Sequence, residues 1–226
     1  MAKLIYKIEI TAKIKVVTGL HIGGSDSVLD IGGIDNSIIK TKGDKPYIPG
    51  SSLKGKLRDL IARSKGYEDI SRDADETKTL FSGNETDKKD KNGKTLIDKI
   101  GKPMKIKIPT RLIIRDSFVS GSFDIHEKAE NVINRSTGVA MPRHTERVSP
   151  DSIFDMEMIL DIYDVDKTNA IKLLDTLKLG FNLLENDYLG GSGSRGYGKV
   201  ELNDFNLRFP FKGENPTPEI INYKFK

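Results

Sequence analysis

The alternation that opens this chain constrains it most. From Ile8 the apolar residues Ile8, Ile10, Ala12, Ile14 and Val16 take every second position, with Glu9, Thr11, Lys13 and Lys15 between them. Successive side chains of a strand point to opposite faces, so this segment reads as a half-buried sheet strand with two lysines on its open face. The period then changes. Leu53, Leu57, Leu60 and Ile61 lie on one helical stripe behind Pro49-Gly50, with Ser51 or Ser52 placed to cap it and Gly66 to stop it. Arg111 to Val119 reads as a strand, with Leu112 and Ile114 alternating against Arg111, Ile113 and Arg115, and Phe154 to Ile162 reads as another. Ala170, Leu173, Leu174, Leu177, Phe181 and Leu184 give a second helix, and a last strand runs from about Gly198 to Phe209. Strand, helix, strand, strand, helix, strand is the ferredoxin-like order. It predicts an α+β fold with a four-stranded antiparallel sheet and two helices on one face.

Three connections, roughly 18–50, 65–110 and 120–152, far exceed the usual ~4–6 residues. One domain over 1–226 carrying these insertions is therefore expected. The middle insertion holds a polar run, Asn84 to Gly93, with no apolar period, and reads as a mobile, solvated segment. The tail from Gly213, with Pro216 and Pro218, reads as extended or irregularly packed. The chain has no Cys, which excludes disulfides and Cys-ligated zinc or iron–sulfur sites. No apolar run approaches the ~18 residues of a membrane span, and no secretory leader opens the chain. A soluble, cytoplasmic protein with no membrane partner is the expectation. A net charge of +4 permits a polyanionic partner without demanding one.

Four segments carry candidate chemistry. Gly190-Gly191-Ser192-Gly193-Ser194-Arg195-Gly196-Tyr197-Gly198 joins the second helix to the last strand. Its glycines, Gly191 and Gly193 among them, let several N–H groups aim at one anion, and Arg195 adds a fork that matches phosphate; a plain connector is the alternative. Pro49 to Arg58 opens a helix whose N-terminus favours phosphate, with Ser51 and Ser52 at the start, Lys54 and Arg58 on one flank and Lys56 on the other. Gly55 inside that helix suggests something packed closely against it. Thr18 to Ser25 brings His21 and Gly23 to a glycine-flanked strand end, where a histidine is either a structural hydrogen-bonder or an RNA contact. The loop continues through Asp26, Asp30 and Asp35, carboxylates suited to Mg2+ but at no calcium-loop spacing. Asn134 to Arg147 places Val139, Ala140 and Met141 between Arg135, Arg143 and Arg147. That is either a wedge between bases with arginines on the backbone, or a hairpin that covers the sheet.

Taken together, TGLHIGGSD at 18–26, IGGID at 31–35, YIPGSSLKGKLR at 47–58, NRSTGVAMPR at 134–143 and LLENDYLGGSGSRGYGKV at 183–200 resemble one family. It is the backbone-subunit family of type III-A CRISPR (Csm) effector complexes, in the RAMP superfamily. The resemblance implies a modified ferredoxin-like (RRM-like) fold with an insertion lid at 65–110 and a thumb-like β-hairpin at 120–152. It implies copies that self-associate into a filament along a CRISPR guide RNA, with other Csm subunits and complementary target RNA as partners. It also implies a metal-dependent endoribonuclease, using Mg2+ or another divalent metal, that cuts the target at regular intervals. The family's cleaving aspartate falls on Asp35 and its guide-contacting histidine on His21. Further guide contacts fall on Ser51, Ser52, Lys54 and Lys56 and on the turn around Arg195. Asp35 would hold the metal or accept the proton of the attacking 2′-OH. Two alternatives remain at this level: a non-catalytic RNA-binding scaffold, and a phosphometabolite enzyme using the glycine-rich turn.

Overall fold

A computed structural model describes residues 2–24, 36–66, 75–87 and 94–226. Its central strand is β1 (Leu4–Val16). Ile8, Ile10, Ile14 and Val16 are fully buried, as the alternation requires. β1 lies between two antiparallel neighbours, β9 (Ile153–Tyr163) and β10 (Val200–Lys212), so that Ile10 faces Met158 on one side and Leu207 on the other. Beyond β9 come β5 (Leu112–Ile114) and β6 (Ser117–Ser120), and β2 (Tyr47–Ile48) forms the edge. Two helices, α1 (Gly50–Ser64) and α3 (Ala170–Glu185), bury Leu53, Leu57 and Ile61 and Leu173, Leu174 and Leu177 in the same core as those strands. They meet where Gly180 leaves room for Ile61, whose Cδ1 would stand 2.9 Å from a Cβ there. This is the expected ferredoxin-like core with one added edge strand.

Several local readings are corrected. The single strand expected over Arg111–Val119 is two strands, because Asp116 turns out of the ladder and its Oδ1 accepts the Gly50 N–H at 2.8 Å. That carboxylate caps α1, and neither Ser51 nor Ser52 does so by its side chain. Gly50 is required at this contact, since a Cβ would collide with the Ile114 carbonyl oxygen. Gly55 is open instead: among the described residues nothing approaches the position of its Cβ. Arg111, assigned to an alternating polar face, is fully buried. Its guanidinium grips Asp166 through Nε at 2.8 Å and Nη2 at 3.0 Å, and gives Nη1 to the Pro109 carbonyl at 2.7 Å.

The long connections carry structure of their own. The middle one forms α2 (Asp75–Phe81), which buries Leu80 and Phe81, and a ribbon of β3 (Asn84–Asp87) with β4 (Lys105–Ile108). The start of the polar run is thus a strand, and its charges pair across the ribbon: Asp87 with Lys105 at 3.7 Å and Glu85 with Lys107 at 4.0 Å. The rest of that run, 88–93, lies outside the described residues. In the last connection β7 (Ile125–Ile133) and β8 (Ala140–Val148) form an antiparallel hairpin, with Gly138 at φ 69° in its turn. Its tip exposes Ile133, Val139 and Met141. The tail is less irregular than expected, since α4 (Pro218–Ile221) buries Ile220 and Phe225 stacks on Phe205 at 5.1 Å.

Two stability predictions follow from these contacts. Arg111→Ala leaves Asp166 buried without its cation and should cost about 3–5 kcal/mol, while an Arg111→Met/Asp166→Leu pair should recover most of that; urea unfolding midpoints measure both. Gly55→Ala meets no clash and should raise stability by about 0.5–1 kcal/mol in the same assay.

Candidate nucleic-acid interface

Three segments far apart in sequence meet at the end of β1. The backbone of Leu20 exchanges two hydrogen bonds with Val148 at the base of the hairpin, at 3.0 and 2.8 Å. The His21 carbonyl accepts the Gly191 N–H at 2.8 Å, and the Gly19 carbonyl accepts the Gly198 N–H at 3.0 Å. This approach needs glycine. Gly190 has φ 80°, and a Cβ on it would strike the His21 carbonyl oxygen. His21 then turns its Nδ1 to the Glu146 carbonyl at 2.7 Å. A carbonyl only accepts, so Nδ1 carries the proton, and Nε2 of the neutral ring is left as an acceptor. Glu146 is itself buried, taking the Ile38 N–H at 3.1 Å and the Lys40 ammonium at 3.0 Å.

This junction frames a cleft of ≈ 770 Å³. The loop after β1 contributes His21 and Asn36, the hairpin contributes Lys128, Glu130, Asn131, Ile133, Arg143 and Thr145, and the glycine-rich turn contributes Gly191, Ser192 and Arg195. Tyr197 is buried behind it and organises the cations. The Lys128 ammonium stands 4.5 Å from its ring centroid and the Arg147 guanidinium 5.4 Å. Burial, first, pushes the Tyr197 phenol above its usual range. Glu130 bridges the positive groups, 2.7 Å from Lys128 and 3.7 Å from Arg195. Its hydrogen bond to Lys128, chiefly, holds its carboxyl below the usual range, so it stays ionised. A cleft walled by three cationic side chains and several neutral donors suits a phosphate backbone.

The structure brings together four of the residues singled out in the sequence, His21, Arg143, Gly191 and Arg195. Others sit differently. Arg147 packs over Gly19 and Tyr197 below the cleft, and its Nε is buried without a partner. Gly23 pairs with Ile38 beside His21. Gly193 lies against the Tyr188 ring, where a Cβ would not fit, and the Lys56 ammonium covers that ring at 3.7 Å while pairing with Asp187 at 3.0 Å. Lys56 and Gly193 therefore position the turn; the lysine's charge is already neutralised. The glycine-rich turn is also a poorer N–H cradle than expected, because the N–H groups of Gly191, Arg195, Gly196 and Gly198 all donate within the chain. Gly190, Gly193 and Gly198 serve close packing.

Ser51, Ser52, Lys54 and Arg58 do not line the cleft. Lys54 donates to the Leu112 carbonyl at 3.3 Å, and its ammonium pKa is lowered by burial first and by Arg58 second. The Asp116 carboxylate at the start of α1 opposes an anion there. Asp26, Asp30 and Asp35 lie outside the described residues. Among the described residues no group of three or more His, Asp or Glu could hold a metal, and no helix is long and apolar enough to cross a membrane. The sequence reading passed over Lys128, Glu130 and Asn36. The period-two spacing of Lys128 and Glu130 on β7 would have put both on one face.

Comparison with known proteins identifies the family. A model of the RAMP superfamily matches residues 13–201. The CRISPR system Cms endoribonuclease Csm3 of Streptococcus thermophilus is 42% identical over 207 residues, covering 86% of each chain. The protein of the same name from Methanocaldococcus jannaschii is 39% identical over 215 residues, covering 89% of this chain and 80% of that one. A solved Csm3–Csm4 subcomplex of the type III-A CRISPR-Cas interference complex matches 98% of this chain and 86% of its own, at 28% identity and a TM-score of 0.55. A type III-B Cmr-beta complex bound to cognate target RNA shares the fold, at 18% identity and a TM-score of 0.58, over 92% of this chain and 62% of that one. With a family model spanning most of its length and close relatives of one name, the chain belongs to the RAMP superfamily and, within it, to the Csm3 family of CRISPR systems.

Proposed function

We propose that this chain is the repeating backbone subunit of a type III-A interference complex in the cytoplasm, that it holds a CRISPR guide RNA in the cleft at the base of the hairpin, and that it cleaves complementary target RNA. The observation that carries this reading is the convergence of His21, Arg143 and Arg195, from three distant segments, on one cationic cleft. Relatives at 42% and 39% identity named as endoribonucleases support the activity, and the Csm3–Csm4 subcomplex supports other Csm subunits as partners. The cleft offers charge and donors without any pocket shaped for one base, so the protein grips the guide's backbone and base pairing reads the target. The exposed apolar tip of Ile133, Val139 and Met141 is the wedge that parts bases. Copies of the chain associate along the guide as a filament. Ser51, Ser52, Lys54 and Arg58 on α1 form a second contact with the strand, weakened at the start of the helix by the Asp116 carboxylate.

Asp35 is the cleaving carboxylate in this reading, and Asn36, the next residue in the chain, lines the cleft. The target's 2′-OH attacks the adjacent phosphorus in line, forming the P–O2′ bond and expelling the 5′ oxygen. Parted bases free the ribose for that alignment. Asp35 accepts the hydroxyl proton. A divalent cation would be held by Asp35 and would supply charge neutralisation at the phosphate.

Two experiments test this. In the assembled complex, Asp35→Ala should abolish regularly spaced cuts in a labelled complementary RNA while the guide stays bound, and EDTA should abolish them in the native complex. Undiminished cutting by Asp35→Ala would leave the subunit a scaffold and move the nuclease to a partner. In filter binding, Arg143→Ala and Arg195→Ala should weaken guide binding alike for unrelated sequences, each lowering the log–log salt slope by about 0.7. A loss confined to one sequence would contradict backbone recognition.

A further inference from the structure

Glu130 is the one carboxylate among the described residues lining the cleft. It stands on β7 directly across the ladder from Arg143, and within reach of Lys128 and Arg195. Its cationic neighbours keep it charged, so it can only accept hydrogen bonds. Next to a phosphate such a group is repulsive. Beyond bridging Lys128 and Arg195, it can contribute to binding only where the bound strand presents a donor.

A guide strand held by its backbone has one donor common to every nucleotide, the ribose 2′-OH; its base donors are reserved for pairing with the target. Glu130 is arranged to meet it. Lys128 at 2.7 Å occupies one carboxylate oxygen; Arg195, at 3.7 Å from the other, is beyond hydrogen-bond length, and the Tyr197 hydroxyl beside the carboxylate can fill only one of the remaining lone pairs, so acceptor capacity is left for a ligand. We propose that Glu130 accepts a hydrogen bond from a ribose 2′-hydroxyl of the strand in the cleft, with Arg143 and Arg195 on the flanking phosphates, and so selects RNA over DNA. This rests on the guide-binding reading of the cleft and adds the sugar specificity to it.

The test is fluorescence anisotropy with the full chain and one labelled mixed-sequence single strand, made as ribose, 2′-fluoro and 2′-deoxy versions. The 2′-fluoro strand keeps an RNA-like sugar pucker but has no donor. Native protein should bind the ribose strand about tenfold tighter than the 2′-fluoro strand, the size of a hydrogen bond to a charged group. Glu130→Gln should bring the two within about twofold to threefold. If Glu130→Gln tightens all three strands equally and keeps their ratio, the carboxylate is only a counter-ion and the proposal is overturned. The native comparison needs no variant: equal binding of ribose and 2′-fluoro strands, with Arg195→Ala weakening both, overturns the hydroxyl assignment alone. If native protein binds none of the strands, or Arg195→Ala has no effect, the cleft reading itself falls and takes this proposal with it.

Discussion

Everything functional in this molecule hangs on a backbone contact: the loop after β1 pressed against the glycine-rich turn on one side and the base of the hairpin on the other. Gly190 and Gly198, both at positive φ, let the turn come close enough for the Gly191–His21 and Gly198–Gly19 hydrogen bonds. Leu20 and Val148 close the other side. These are bonds between rigid peptide groups, which is why the side chains they carry stand in defined places. His21, Arg143 and Arg195 share a cleft because their backbones do. No side chain larger than hydrogen at Gly190 would leave that arrangement intact.

Charge is distributed with the same economy. The open face of the sheet carries many charges, and several are matched in pairs: Lys7 with Asp161 at 2.6 Å, Lys15 with Asp151 at 2.9 Å, Arg115 with Glu157 at 2.7 Å, Arg208 with Glu9 at 2.8 Å, and Lys13 with Asp155. A face so neutralised gives little attraction to a polyanion, although the sheet surface is where an RRM-like fold would be expected to bind RNA. The excess of cations over carboxylates appears instead in the cleft, where Lys128, Arg143 and Arg195 face one Glu130. The modest net charge of +4 is thus a poor guide to local field. Buried Arg111 belongs to neither surface; with Asp166 it ties the exit of the middle insertion to the turn before α3.

The core was legible because its signals are local. Period two over Ile8–Val16 and helical spacing over Ala170–Leu184 each declare an element and its buried face without reference to the rest of the chain. The readings that failed all depended on a partner distant in sequence. Asp116, not a serine, caps α1. Arg111 is buried because Asp166 meets it from 55 residues away. Lys56 remains an expected guide contact, and the Asp187 carboxylate that pairs with it comes from 131 residues away. Glu130 went unread because an acid in a basic segment has no local signature; its meaning comes from the cations around it.

The sequence by itself determined the order and type of the core elements, the three places where the chain leaves the core, and the family, through contiguous motifs such as YIPGSSLKGKLR and LGGSGSRGYGK. Those properties follow from neighbours along the chain: which face a residue takes, and where glycine permits a turn. Only the tertiary structure decided which charges remain for a ligand. An ionic or hydrogen-bonding group is available or spent according to what lies within about 3–4 Å of it, and in this protein those neighbours come from other elements of the fold.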